Sequence, residues 1–375
     1  MAAPGTEWLD RPEFIFRPWT PPEDPAKPRL PYIPGFTVQI YRHTAPPPFG
    51  NAYGPGTRTC LPTDHFHDMP QSELVITNPP LETEPPSYTG SDTARMTITT
   101  PIRIGSAHGA QVVACTVVQD GSKLFQAVAK IYDALYYRFA QSIGNVPRDV
   151  VMAADEDYSR EAAAYEFLRN AEQTGHPKFV PDYFGSWTFD LPITYKGESR
   201  LRPIRMILIE RLDGTTLLDA LIRNDSSRVK DAFHYPEEWR LEVLARAMDG
   251  FVKQQHIGVD QADFADRNVM IVTNAECDDE KVAGIPLPRV VLIDYNISYV
   301  YSILGDTGHI VLSAPCNPIW HFWNMELRGF VGWIPHEWFE RPKLKQEWLL
   351  RRFGTDEARA LYAPIPVKLE FDEDE

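Results

Sequence analysis

The residues best suited to chemistry on a phosphate lie between 256 and 296. Asp263 sits in the polar run Gln261-Ala262-Asp263-Phe264-Ala265-Asp266-Arg267-Asn268. The apolar run Val269-Met270-Ile271-Val272 follows, and a second one, Val290-Val291-Leu292-Ile293, delivers Asp294 at its end. Short β-branched runs bounded by polar loops predict buried strands. Two such strands would bring Asn268 and Asp294 close together at one edge of a sheet. Paired oxygen ligands beside a free carboxylate suit a Mg²⁺–phosphate site, because Mg²⁺ takes few protein ligands and completes its octahedron with water and phosphate oxygens. An ordinary helix–loop–strand stretch with surface acids gives the same letters without chemistry, since D-x-x-x-x-N recurs by chance.

A second charge stands where a charge is costly. In Ala127-Val128-Ala129-Lys130-Ile131-Tyr132-Asp133 a lysine occupies the middle of an apolar strand, and its desolvation must be offset by an anion. A lysine pointing to water from an edge strand is the alternative. Residues 158–171 have helical composition, with Asp155, Glu156 and Asp157 read as preceding the helix, near its positive end. Ala164, Tyr165 and Leu168 lie at i+3, i+4 and i+7 from Glu161, which puts Glu161 on the apolar face and makes it the candidate partner. Glu166 lies off that stripe and reads as solvated.

The elements that would position these residues follow the same order. Met96–Thr100 and Val112–Val118 read as a hairpin around Ile104-Gly105-Ser106-Ala107-His108-Gly109-Ala110, a turn whose glycines allow close approach to a ligand. Ile204–Ile209 is a buried strand running into the polar turn Glu210-Arg211-Leu212-Asp213-Gly214. Residues 237–257 form a long helix with an apolar stripe, and Gly258 is its stop.

This succession resembles the protein kinase-like superfamily, whose pattern is V-A-I-K on a strand, then H-R-D-x-x-x-x-N, then D-F-G. Here the pieces read Val128-Ala129-Lys130, Gln261-Ala262-Asp263 to Asn268, and Asp294-Tyr295-Asn296. Val128–Asp133 with the trailing Leu135-Tyr136-Tyr137 is similar to the corresponding strand in a fungal branch of that superfamily. The resemblance covers roughly residues 96–340 and extends to small-molecule phosphotransferases of the same fold. It implies an α+β, two-lobed protein kinase-like fold, with an antiparallel-sheet small lobe and a mainly helical large lobe. Residues 1–94 would form a Pro-rich N-terminal arm, 95–209 the small ATP-binding lobe, 210–365 the large catalytic lobe and 366–375 an acidic tail.

By the same resemblance Asp263 is the catalytic base, Lys130 and Glu161 the ion pair that places the phosphates, and Asn268 and Asp294 the Mg²⁺ ligands. Gly105 and Gly109 would cover the nucleotide, and the backbone of Glu210 and Leu212 would bond adenine. Gln261 stands in place of the motif histidine and Asn296 in place of the glycine. No A-P-E motif follows Ala314-Pro315-Cys316. Three functional readings follow. One is an ATP-dependent phosphotransferase moving the γ-phosphate to a hydroxyl of a protein or small molecule. Another is a pseudokinase that holds nucleotide and serves as an interaction module. The third is an unrelated α+β protein with accidental matches.

Composition narrows the partners. The formal charge is −15, from 37 Lys+Arg against 52 Asp+Glu, and a field of that sign repels nucleic acid and anionic membranes. The four cysteines, Cys60, Cys115, Cys277 and Cys316, form no C-x-x-C pair and read as free thiols of a reducing compartment. Neither a signal peptide nor an apolar run near the roughly 20 residues of a membrane span is visible, so an intracellular, cytoplasmic protein is expected. Residues 1–90 hold 19 of the 34 prolines, which disfavours helices and central strands there. Aromatics such as Trp19, Tyr32, Phe36, Tyr41, Phe49 and Tyr53 punctuate this stretch, so an arm docked on the main domain is expected rather than a solvated tail.

Overall fold

Alternation of apolar and polar side chains builds strands in the first half of the chain, and these strands close on themselves. The structure, a computed structural model, describes residues 19–56, 58–84, 92–119, 123–141, 146–223, 229–272, 280–305 and 313–371. Six antiparallel strands, β1 (Thr37–Arg42), β2 (Thr93–Arg103), β3 (Gln111–Gln119), β4 (Lys123–Tyr132), β5 (Tyr183–Tyr195) and β6 (Glu198–Glu210), form a closed barrel in the order β1-β2-β3-β4-β6-β5. Ile40, Met96, Ile98, Val113, Cys115, Val117, Ala129, Trp187 and Met206 are fully buried in the first of two hydrophobic clusters.

Two short helices, α1 (Thr63–Phe66) and α2 (Gln71–Thr77), precede β2, and α3 (Val150–Asn170) packs against the barrel between β4 and β5. Asp149 caps α3 by accepting from the amides of Val151 and Met152. The helix therefore begins eight residues before the expected position, and Asp155, Glu156 and Asp157 lie inside it rather than ahead of it.

Beyond the barrel, β7 (Gly214–Thr216), the ribbon β8 (Ile222–Arg223) with β9 (Lys230–Asp231), and α4 (Glu237–Ile257) lead to β10 (Val259–Asp260) and β11 (Val269–Val272). The ribbon β12 (Lys281–Val282) with β13 (Ile285–Pro286) then precedes β14 (Arg289–Leu292) and β15 (Tyr299–Val300). A three-stranded sheet runs β14-β11-β7, and β10 pairs with β15. Gly214 is required in β7, because a Cβ there would run into the backbone carbonyl of Ile271. The last helices are α5 (Tyr301–Leu304), α6 (Pro318–Phe322), α7 (Glu337–Glu340), α8 (Pro342–Phe353) and α9 (Asp356–Arg359). A second hydrophobic cluster joins α4, β11 and β14 to Trp323, Trp333, Trp338 and Trp348.

The expected two-lobed, kinase-like fold is overturned. Its first half was to be an antiparallel-sheet small lobe from residue 95 with the N-terminal arm docked partly on it, but β1, drawn from that arm, pairs with both β2 and β5 and closes the barrel. Its second half was to be mainly helical, but among the described residues only α4 and α8 exceed five residues there. Prolines at 315, 318, 335 and 342 interrupt or restart that chain and keep its helices short. The proline-rich stretch is ordered from residue 19 to 56, with Tyr32, Ile40 and Phe49 at most 1 % exposed. Trp8, Phe14, Phe16, Cys277 and the acidic end 372–375 lie outside the described residues. No described helix is long and apolar enough to cross a membrane.

Candidate active site

Strand β4 presents Lys130 to the carboxylates of two other elements. Its Nζ lies 2.5 Å from Glu161 Oε2 of α3 and 2.7 Å from Asp294 Oδ1, two residues past β14. Glu161 is fully buried, and its oxygens also accept from Tyr132 Oη at 2.6 Å and the Tyr295 amide at 3.2 Å. Tyr132 is two residues along β4 from Lys130 and so shares its face. Burial disfavours the lysine's charge, but Asp294 and Glu161 outweigh it and hold the ammonium above its usual range. Burial would also raise Asp294, yet the ammonium beside it holds this carboxyl below its usual value. Burial pushes Glu161 up, against the pull of Lys130. Asp294 adopts φ +68°, a left-handed conformation that turns the chain sharply out of the strand.

Pairing of β11 with β14 brings the amide and the carboxylate to the same sheet end. Val269 faces Leu292, and the Ile293 amide donates to the Asn268 carbonyl at 2.9 Å, so Asp294 follows directly on that bridge. Asn268 Nδ2 donates to Asp263 twice, at 2.9 Å to its carbonyl and at 2.7 Å to Oδ2. Arg267 holds the other carboxylate oxygen at 2.5 Å. Gln261 is fully buried and its Nε2 donates to the Ile293 carbonyl at 2.5 Å. The residue in place of the motif histidine thus ties the loop of Asp263 to the strand end that carries Asp294.

The bonds of Asn268 use Nδ2 and the bond of Asp294 uses Oδ1, which leaves Asn268 Oδ1 and Asp294 Oδ2 as the oxygens a cation could take. Two oxygens suit Mg²⁺, which keeps several waters or phosphate oxygens of its own. No group of three or more His, Cys, Asp or Glu side chains is arranged as a metal cage among the described residues. Arg103 and Arg267, with Lys130, also act electrostatically on Asp294, so the carboxylate sits among cations that would attract phosphate.

The outer parts of the expected site are placed less directly. Gly105 takes φ +115°, and the Gln111 side chain staples its loop by accepting from the Gly105 amide at 2.6 Å and donating to the Gly109 carbonyl at 3.1 Å. A Cβ added at Gly109 would meet Asp157 and Tyr137 at ordinary packing distance. The Glu210 amide donates to the Asp182 carbonyl at 2.8 Å and its carboxylate to Arg289 is a 3.0 Å ion pair, so any base recognition at this residue falls to its carbonyl. Leu212 is half-buried in the connection from β6 to β7. Cavities of about 840 Å³, beside Trp320 and Trp323, and about 650 Å³, between Arg42 and Arg169, do not include Lys130, Asn268 or Asp294 among their lining residues.

Lys130, Glu161 and Asp294 are therefore in direct contact, and Asp263 and Asn268 form a second contacting pair at the same sheet end. Sequence reasoning missed three supporting residues: Tyr132, Arg267 as the partner of Asp263, and Gln261 as a positive structural link. Spacing of two along a strand was a usable signal for Tyr132; the other two depend on loop geometry with no simple period. Neither a protein-family model nor a curated protein matches the chain.

Proposed function

We propose that the protein is an ATP-dependent phosphotransferase, moving the γ-phosphate of ATP to a hydroxyl of a protein or a small molecule. The observation that carries this reading is Lys130 held between two carboxylates, one buried and one at the strand end beside Asn268. A lysine needed only for structure would be satisfied by Glu161 alone; sharing it with a partly open Asp294 provides a cation and a metal-binding anion side by side. Bound Mg²⁺ would neutralise charge on the phosphates, held by Asn268 and Asp294. Lys130 would orient the phosphate chain. Asp263 would orient the acceptor hydroxyl and take its proton.

A second reading, a nucleotide-binding module without transfer, is favoured by one specific feature. Both oxygens of Asp263 are engaged, one by Arg267 and one by Asn268, which weakens the carboxylate as a base. Incubation with γ-labelled ATP and Mg²⁺ distinguishes the two, with the protein itself, a generic protein and a metabolite extract offered as acceptors. Label on any acceptor, lost in Asp263→Asn, is expected for the transferase. Tight nucleotide binding with no label on any of the three would leave the binding module.

A further inference from the structure

The segment that carries Asp294 is fastened to α3 by more than the Lys130 pair. Asn296, where the family pattern has glycine, donates from Nδ2 to Asp157 Oδ1 at 3.4 Å, and its carbonyl accepts from Arg160 Nε at 2.8 Å. Arg160 in turn reaches Asp157 at 3.4 Å and Glu156 at 3.6 Å. The Tyr295 amide between them donates to Glu161. A turn closes the segment, with Ser298 Oγ donating to the Tyr295 carbonyl at 2.7 Å, and the Val300 amide donates to Tyr53 Oη at 2.5 Å. Asp157 and Arg160 are 8 % and 3 % exposed, so these bonds are shielded from water.

The left-handed residue here is Asp294, while Asn296 does not have a positive φ. Glycine is therefore not needed at 296 for the backbone, and an amide side chain there gains a partner that glycine lacks, Asp157, while the Arg160 bond to the backbone carbonyl is open to either residue. We propose that Asn296, Asp157 and Arg160 are positioning residues that hold Asp294 beside Lys130 before nucleotide arrives. The inference rests on the phosphotransferase reading for its functional consequence, but not for its structural one. It assigns the side chain at 296 a role: the segment that carries Asp294 is latched to the helix that carries Glu161.

Hydrogen–deuterium exchange over residues 293–302 and calorimetric titration with ATP, with and without Mg²⁺, test this on the full chain. In Asn296→Gly and Asp157→Asn, exchange of the segment should rise about tenfold or more, as expected from losing a bond to a charged group. Mg·ATP affinity should fall by about tenfold while metal-free ATP affinity stays within about twofold. The double variant Asp157→Asn with Asn296→Asp restores an amide–carboxylate pair with the roles exchanged, and should recover both quantities. Unchanged exchange in both single variants overturns the latch, as does increased exchange with Mg·ATP affinity intact. If the parent chain binds no Mg·ATP but exchange responds and recovers as described, the latch stands and the phosphotransferase reading falls.

Discussion

At the scale of single residues, the chemistry rests on where charge is buried and what meets it. Lys130 and Glu161 were legible in the sequence because each places a charge on an apolar face, and such a charge must find a partner. Asp294 was legible as a carboxylate at the end of an apolar run. What the letters hid was that one lysine serves both carboxylates, since strand and loop closure decide that and no spacing encodes it. Asp263 is the most exacting residue to test, as Arg267 and Asn268 both hold it. Asp263→Asn keeps its size and its bond to Arg267 in weaker form, so ATP affinity should stay within about twofold. Turnover should fall by on the order of 10²–10⁴, the usual share of a positioned acid or base. Transfer indifferent to this change would place the base elsewhere.

At the scale of elements, the strands and the long helix α4 follow from alternation and from a stripe ending at Gly258, whose φ of +113° makes it the left-handed stop expected there. The start of α3 was missed because the acids Asp155–Asp157 looked like a helix entrance. Asp149 followed by Val150 and Val151 was the true capping signal. The acids instead face different partners. Asp155 meets Arg58 at 2.7 Å and the Leu81 amide at 3.1 Å, so the proline-rich segment is pinned onto α3. Burial pushes Asp155 up to about 6, against the guanidinium that pulls it down. Arg58→Ala should therefore destabilise the fold, by as much as about 3–5 kcal/mol if the carboxylate stays charged. The loss should be smaller at pH 5 than at pH 8, because the unpaired Asp155 can then take a proton. Urea midpoints of both proteins at the two pH values measure this. An equal or negligible loss at both would mean that the segment is not held by this pair.

At the scale of the whole molecule, the closed barrel was the least legible feature. Thr37–Arg42 carries the alternation of a strand, but the surrounding prolines argue against one. Its partners β2 and β5 come from stretches about 50 and 140 residues away in the chain, a pairing that local pattern does not specify. Closure also buries polar groups, among them His43, just past β1. Its ring nitrogens meet Tyr158 Oη at 2.6 Å and Glu82 Oε1 at 2.9 Å, with Arg205 bonded to the same glutamate. Burial first, and then Arg205, lower its pKa to about 4, against the pull of Glu82. A histidine lowered in the folded state contributes stability above its unfolded value of 6.5, and this is lost as pH falls towards 4. That contribution is at most about 3 kcal/mol, and His43→Gln should lack it, so the stability gap between the two proteins should narrow from pH 7.5 to pH 4.5. A gap independent of pH would mean that the ring does not titrate as its surroundings imply. The barrel, α3 and the β11–β14 sheet together matter because they set Lys130 against Asp294 beside Asn268. The most direct measurement is calorimetric titration of ATP, with and without Mg²⁺, into the parent chain and Asp294→Ala. The parent should bind Mg·ATP, and Asp294→Ala should weaken it by about tenfold or more while metal-free ATP binding changes by less than about twofold. Absence of ATP binding in the parent, or equal losses with and without the metal, would contradict a Mg²⁺–nucleotide site at these residues.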